Sequence, residues 1–465
     1  MAEQIDRMRM TERKVELWCQ NRLPTLNVGA ALLAVNILLG FVSLAAFWDS
    51  YAQSEATENI GADQAGFSEP VNLTNNARDS VYAQVASSGE NVYIVWQENP
   101  PTGFSTTGGG DLINYEIFIK KSEDGGQTFG NEINLSNNPG FSEHPQIAAW
   151  GNNVYIAWID NSPLASSSAQ TEEDNKKIMF TKSTDGGNTF GETIILSDVP
   201  RADSSNLEIA ATGNNVYAVW QVTPLTTQFN AGQEDIKTGS IYLVASADNG
   251  ETFQETKSLS DNVLKSYPKV AAYENKVYVL WNVGIIGDNT NKGDNTDKGI
   301  YLTKSFDSGK SFDEPIKLNA NWNSVGESQI AASGNSVYVV WGGNPDEKVA
   351  GNLFYTTSSD NGVSFSAARA LTERNTLNAE VAATNNGDGV YLAWQGVLPD
   401  GNEEIFIKES IDRGATFTQD NQNVSKNEGI SECTSIAISE DSSRVYLAWE
   451  DSPVNNHEIL FAYSV

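Results

Sequence analysis

The sequence predicts an all-β chain: a seven-bladed β-propeller closed by pairing of its N- and C-terminal strands, preceded by one N-terminal transmembrane helix. Three observations predict it. A Val-Tyr-x-x-Trp strand recurs seven times, at 92–96, 154–158, 216–220, 277–281, 337–341, 390–394 and 445–449, in steps of 62, 62, 61, 60, 53 and 55 residues. The two ends of the repeat region are halves of one unit. Glu458-Ile459-Leu460-Phe461-Ala462-Tyr463-Ser464 matches Glu116-Ile117-Phe118-Ile119-Lys120-Lys121-Ser122, and Phe67-Ser68-Glu69-Pro70-Val71-Asn72-Leu73 matches Phe312-Asp313-Glu314-Pro315-Ile316-Lys317-Leu318. A solenoid caps its ends, whereas a ring closes by sharing one blade between them. Finally, residues 28–48 form an uncharged stretch of 21 residues, long enough to cross a bilayer as a helix.

From the N-terminus, residues 1–27 read as a cytoplasmic segment, 28–48 as the membrane helix, 49–66 as a polar linker and 67–465 as the propeller. Charge sets the orientation. Arg7, Arg9, Arg13, Lys14 and Arg22 precede the apolar stretch and no Lys or Arg follows before Arg78, so the positive-inside rule leaves the propeller extracytoplasmic. The expected location is the cell membrane, single-pass. A signal peptide cleaved near Ser50-Tyr51-Ala52 is the other reading, although a lead of about 27 residues is long for one. Cys19 and Cys433 then fall on opposite sides of the membrane, so no internal disulfide is expected.

Each unit reads as four short strands, for example Gln146-Ile147-Ala148-Ala149, the strand at 154–158, Ile178-Met179-Phe180-Thr181 and Ile194-Ile195-Leu196. Such strands are apolar on both faces because each blade lies between two neighbours. Between the third and fourth strands, Ser-x-Asp-x-Gly-x-Thr/Ser-Phe recurs six times, at 122–129, 183–190, 246–253, 305–312, 358–365 and 410–417. In such a turn the carboxylate (Asp124, Asp185, Asp248, Asp307, Asp360 or Asp412) accepts backbone N–H bonds, and the Gly two residues on permits positive φ. Six equivalent copies argue for a structural role. Asn72-Leu73-Thr74, Asn134-Leu135-Ser136 and Asn423-Val424-Ser425 fit the glycosylation pattern, but they recur at one fourth-strand position.

This turn motif resembles the Asp-box, or bacterial neuraminidase repeat, of the sialidase-like β-propeller superfamily, and the resemblance covers residues 67–465. It implies the propeller. It does not choose a function, because Asp-boxes occur in sialidases, other glycoside hydrolases and non-catalytic binding proteins. Resemblance to a true sialidase would further imply three arginines on the substrate carboxylate, a Tyr/Glu nucleophile pair, an Asp acid/base and a Phe-Arg-Ile-Pro element. The chain has no Phe-Arg-Ile-Pro. Among its six arginines beyond residue 50, Arg78, Arg201 and Arg374 fall in fourth-to-first loops. Converging on the axis they would clamp a carboxylate; spread around the ring they would be solvated loop residues.

The formal charge of −31 belongs to the outer part, because residues 1–50 hold five basic and five acidic side chains. Nucleic acid is therefore a poor partner. The second-to-third loops are long in the first four blades, which builds up one rim. They carry Glu98, Asp111, Asp160, Glu172 to Asp174, Glu234, Asp235, Asp288, Asp294 and Asp297. The Gly-punctuated run 287–297, with Asp288, Asp294 and Asp297, is the candidate Ca²⁺ loop, without EF-hand spacing. Tyr267 and Trp322, in fourth-to-first loops, are candidate sugar-stacking aromatics, while Trp150 is expected to pack on the opposite side. His144 and His457 show no metal-ligand spacing. The function that follows is binding of a glycan or protein at the cell surface through an acidic rim. The alternative is a sialidase-like glycoside hydrolase of the exo-α-sialidase type.

Overall fold

Seven four-stranded antiparallel sheets hold the named strands of the described residues, and no helix occurs among them. The computed structural model describes residues 66–465 except 77, 100–114, 139, 162–175, 198, 200–201, 225–238, 264–266, 284–298, 320–324, 344–350, 373–375 and 453–455. The expected cytoplasmic segment and membrane helix lie outside the described residues, as does all but the last residue of the linker.

From the inside out, the first blade runs Ser80–Ser88, Asn91–Glu98, Glu116–Ser122 and Ile133–Asn134. The inner strands of successive blades touch, and that of the seventh blade, Ile430–Ile438, touches that of the first. Strand Val71–Asn72 pairs antiparallel with Glu458–Tyr463, with Asn72 opposite Leu460. The seventh sheet thus takes its outermost strand from the start of the propeller and three from its end. Phe67 bridges to Ser464, and Ser68 N donates to Tyr463 O at 2.8 Å.

Each Val-Tyr-x-x-Trp strand is the second of its blade, and all seven tryptophans are at most 2% exposed. Burial on both faces follows from the blade-on-blade stacking. Phe180 of the second blade packs with Leu207, Ile209 and Trp220 of the third, and Ile94 and Trp96 of the first pack with Tyr446 and Phe461 of the seventh. A single blade would leave both such faces in water, so the blades stabilise one another pairwise, at about 25 cal/mol per Å² of apolar area covered.

The six Ser-x-Asp turns share one hydrogen-bond pattern. In the first, Ser122 Oγ donates to Asp124 Oδ1 at 2.7 Å and accepts from Gly126 N at 2.9 Å. Thr128 N and Oγ1 then donate to the two carboxylate oxygens at 2.9 and 2.6 Å. The other five repeat this at Asp185, Asp248, Asp307, Asp360 and Asp412. These donors, the Thr or Ser hydroxyl foremost, hold the acids below the usual carboxylate range, to about 2 at Asp124 and Asp412. Gly126 sits at φ 89°, and a Cβ there would lie 2.7 Å from the Phe461 ring.

Two expectations are corrected here. Trp150 is not buried: it is the last residue of its strand, at the Gly151-Asn152 turn, and is 41% exposed. There is also no free cysteine among the described residues, so Cys433 is not the unpaired thiol the topology suggested.

Candidate functional site

Two of the acids expected on the rim are buried. Glu98 is 1% exposed and Asp160 2%. Both lie two residues beyond the strand tryptophan, which turns the carboxylate back over the indole. Trp96 Nε1 and Ser80 Oγ each donate to Glu98 Oε2 at 3.0 Å. Trp158 Nε1 and Ser142 Oγ donate to Asp160 Oδ2 at 3.1 and 2.7 Å. A buried carboxylate needs such donors, so these two positions serve the fold.

The loops that meet them are built from one motif. In Asn72–Asn76, Asn134–Asn138 and Asn423–Asn427 the first Asn caps the turn, accepting from Asn75 N, Asn137 N and Lys426 N. The hydroxyl third in the motif takes a strand N–H, as Ser136 Oγ does from Ile117 N at 2.9 Å. The last Asn reaches the next blade's acid: Asn138 Nδ2 donates to Asp160 Oδ2 at 2.8 Å and Asn427 Nδ2 to Asp451 Oδ2 at 2.6 Å. The glycosylation-like pattern of these segments therefore has a hydrogen-bonding explanation of its own.

Around the axis the inner strands break register near their beginnings. Bulges fall between Val81 and Gln84, Glu143 and Gln146, Ser205 and Glu208, Val325 and Ser328, Leu377 and Glu380, and Glu432 and Ser435. Five bulge residues take positive φ without being glycine: Tyr82 (57°), His144 (52°), Asn206 (52°), Asn378 (46°) and Cys433 (50°). Such backbone persists only where neighbours over-determine it. Glu450 Oε1 accepts from Tyr82 N at 2.6 Å and Gln97 Oε1 from His144 N at 2.7 Å, each from the preceding blade. The two rings meet at 4.4 Å.

Two residues further along, each inner strand presents a residue at the same register: Gln84, Gln146, Glu208, Lys269, Gln329, Glu380 and Ser435. These link around the ring. Lys269 Nζ lies 3.0 Å from Glu208 Oε2, and Gln329 Nε2 donates to Glu380 Oε1 at 2.5 Å. Burial pushes Glu327 up to about 8 and Glu380 up to about 7, only partly offset by the Lys269 ammonium. Burial works against the Lys269 charge, but Glu208, Glu380 and Glu327 hold its pKa above the ordinary value.

A second charged group joins the seventh blade to the first. His457 Nδ1 is 2.9 Å from Asp79 Oδ1, and His457 Nε2 is 3.8 Å from Glu432 Oε1. The Asp79 hydrogen bond, with Glu450 and Glu432 nearby, raises His457 to about 9 despite burial. Burial, reinforced by Glu432, pushes Glu450 up to about 8. With His457 protonated, the carboxyl groups of Asp79, Glu432 and Glu450 face one imidazolium, as those of Glu208, Glu327 and Glu380 face one ammonium at Lys269.

Of the residues singled out by sequence, Arg78 is described and engaged. Its Nη1 lies 2.5 Å from Glu98 Oε1 and its guanidinium 5.6 Å from the Phe118 ring centre. Tyr267 is half-buried, two residues before Lys269 as Tyr82 is before Gln84. Arg201, Arg374, Trp322, Asp288, Asp294 and Asp297 lie outside the described residues. Among the described residues no group of three or more His, Cys, Asp or Glu side chains is placed to hold a metal ion. Sequence reading missed Glu208, Lys269, Glu327, Glu380, Glu432 and Glu450. The signal was an alignment column: two residues after that register every blade has alanine, Ala86, Ala148, Ala210, Ala271, Ala331, Ala382 and Ala437.

No family model and no curated protein matches the chain. Among solved structures it is similar to a protein of unknown function from Dyadobacter fermentans, at 12% identity and TM-score 0.49, covering 86% of this chain and 98% of that one. It is also similar to Trypanosoma rangeli sialidase, at 11% identity and TM-score 0.48, covering 87% of this chain and 58% of that one. A Hadza microbial sialidase follows at 17% identity and TM-score 0.45, covering 76% and 73%. The chain thus spans little more than half of the Trypanosoma enzyme's length. At these identities and TM-scores the likeness carries no argument, and no residue role is carried over from it.

Proposed function

We propose that this protein is a membrane-anchored, extracytoplasmic Asp-box propeller, closed by its terminal strands, that binds a glycan or protein at the cell surface through the acidic opening around its axis. The observation that carries the reading is the pair of charged groups there, Glu208, Glu327 and Glu380 around Lys269, and Asp79, Glu432 and Glu450 around His457. A cleft lined by one sign of charge between low-dielectric walls concentrates ligands of the opposite sign. The ligand class this favours carries amines or guanidinium groups: a basic protein segment or an amino-sugar glycan. The anchor rests on residues 28–48 and the charges before them, and the Asp-box reading on the six alike turns.

The hydrolase alternative draws on one observation, a Glu327 carboxyl pushed up to about 8 beside other carboxylates, which suits a general acid. A sialoside, however, would bring a carboxylate into a field of its own sign, and Arg78 is already paired with Glu98. The test is to screen the full chain against oligolysine, chitosan oligomers, and neutral and sialylated glycans, with and without Ca²⁺ for the 287–297 run, beside a fluorogenic sialoside. Binding of the amine-bearing probes, weakened by salt, is expected. Turnover of the sialoside would replace this reading with the hydrolase, and no binding by any amine-bearing probe would refute it.

A further inference from the structure

Away from the axis, the outer edges of the sixth and seventh blades enclose a cleft of ≈ 310 Å³. Phe67, Pro70, Val424 and Leu460 give it apolar walls, and Asp451 lines it at one end. Asp451 is 4% exposed; its Oδ2 accepts from Asn427 and the Ser452 backbone N–H bonds to the carboxylate, while its Oδ1 takes no side-chain donor. A buried carboxylate oxygen left open costs free energy that a donor from outside would recover.

The fold itself contains the filled version of this position. Asp451 stands two residues after Trp449 as Glu98 stands two after Trp96, and the loops that reach them align through their capping Asn. Arg78 N donates to Asn76 Oδ1 at 2.6 Å, and Gly429 N donates to Asn427 Oδ1 at 2.8 Å. In the first blade the residue at that point is Arg78, whose guanidinium takes the free oxygen of Glu98 at 2.5 Å. In the seventh blade it is Gly429, which brings no guanidinium to Asp451. The surroundings keep the same sign: Glu404 and Glu458 add to burial in raising Asp451 to about 6, and Glu69 lines the cleft against Lys426.

We propose that the cleft between the sixth and seventh blades is a binding site for a guanidinium group, the arginine side chain of a partner protein, with Asp451 as the anchoring carboxylate. The apolar walls accept the methylene stem while the charged head reaches Asp451, in the way long basic side chains partition. The site is independent of the axial opening, so each reading can fail without the other.

The test titrates the full chain with Nα-acetylarginine amide by calorimetry at pH 7.5, with Nα-acetylcitrulline amide as the uncharged match. Binding of the arginine probe is expected, and of the citrulline probe at least tenfold weaker. Asp451→Asn should weaken the arginine probe at least tenfold. Gly429→Arg, which supplies the missing guanidinium from within, should block the probe and raise the melting temperature, a gain of stability that a misfolded variant could not give. The proposal is overturned by equal binding of the two probes, by an Asp451→Asn variant that melts like the parent and binds unchanged, or by no binding at millimolar probe. Replacing Glu327 and Glu380 by Gln should leave this site's affinity unaltered.

Discussion

Replacing Glu98 by alanine is expected to destabilise the propeller by about 3–5 kcal/mol, the range for breaking a buried ion pair by removing one partner. The Glu98 side chain is fully buried, and its two oxygens accept from Trp96 Nε1, Ser80 Oγ and Arg78 Nη1. Truncation leaves the indole and the hydroxyl without an acceptor in the interior, at about 1–3 kcal/mol each. Arg78 adds less, because its side chain is 34% exposed and can turn to water. Glu98→Gln keeps an acceptor oxygen for the indole and should cost about 1–2 kcal/mol. Glu123→Ala breaks a pair with Lys121 whose acid is 70% exposed, and should stay within about 0.5 kcal/mol. Urea unfolding followed by tryptophan fluorescence reads all three, comparing midpoints at unchanged slope. A loss below about 1 kcal/mol for Glu98→Ala would refute the reasoning that this acid is an internal acceptor and would return it to the rim as a candidate ligand residue.

Phe461→Ala should cost about 3–5 kcal/mol in the same assay, because Phe461 is fully buried and meets the Phe129 ring edge-on at 5.0 Å between the seventh blade and the first. Gly126→Ala should cost more than about 1 kcal/mol from its positive φ and the crowding by Phe461; a neutral result would contradict the turn geometry. Stability should fall as pH rises from about 6 to 9, because Glu327, Glu380, Glu450 and His457 have folded pKa values raised to about 8, 7, 8 and 9. Groups raised in this direction contribute fully below their unfolded values and lose that contribution through the folded ones, so a melting temperature constant or rising over that interval contradicts the account. The turn aspartates have the opposite sign. Their contribution is present above about pH 4 and is lost as pH falls toward about 2 at Asp124 and Asp412, which thermal melts in acid would show.

The seven blades were legible because each needs the same large buried side chain at the same place, and Trp96 through Trp449 repeat at blade spacing. The six turns were legible because Ser122, Asp124, Gly126 and Thr128 and their counterparts satisfy one another within eight residues, so the whole interaction is written in one short motif. The axial groups were not. Glu208, Lys269, Glu327 and Glu380 come from four different blades, and their proximity arises only when the inner strands surround an axis. Rim acids misled for a related reason: nothing local to Glu98 or Asp160 distinguishes a solvated loop end from a carboxylate folded back onto its own tryptophan. What the sequence did carry was the spacing of two between Trp96 and Glu98, Trp158 and Asp160, and Trp449 and Asp451.

The most direct test of the axial binding surface is calorimetric titration of oligolysine into the full chain and into a variant with Glu208, Glu327 and Glu380 all replaced by Gln. These substitutions keep hydrogen-bonding capacity while removing the titratable carboxyl groups that surround Lys269. The account predicts at least tenfold weaker binding by the variant and a shallower dependence on salt. Equal affinity and equal salt dependence in the two proteins would contradict it.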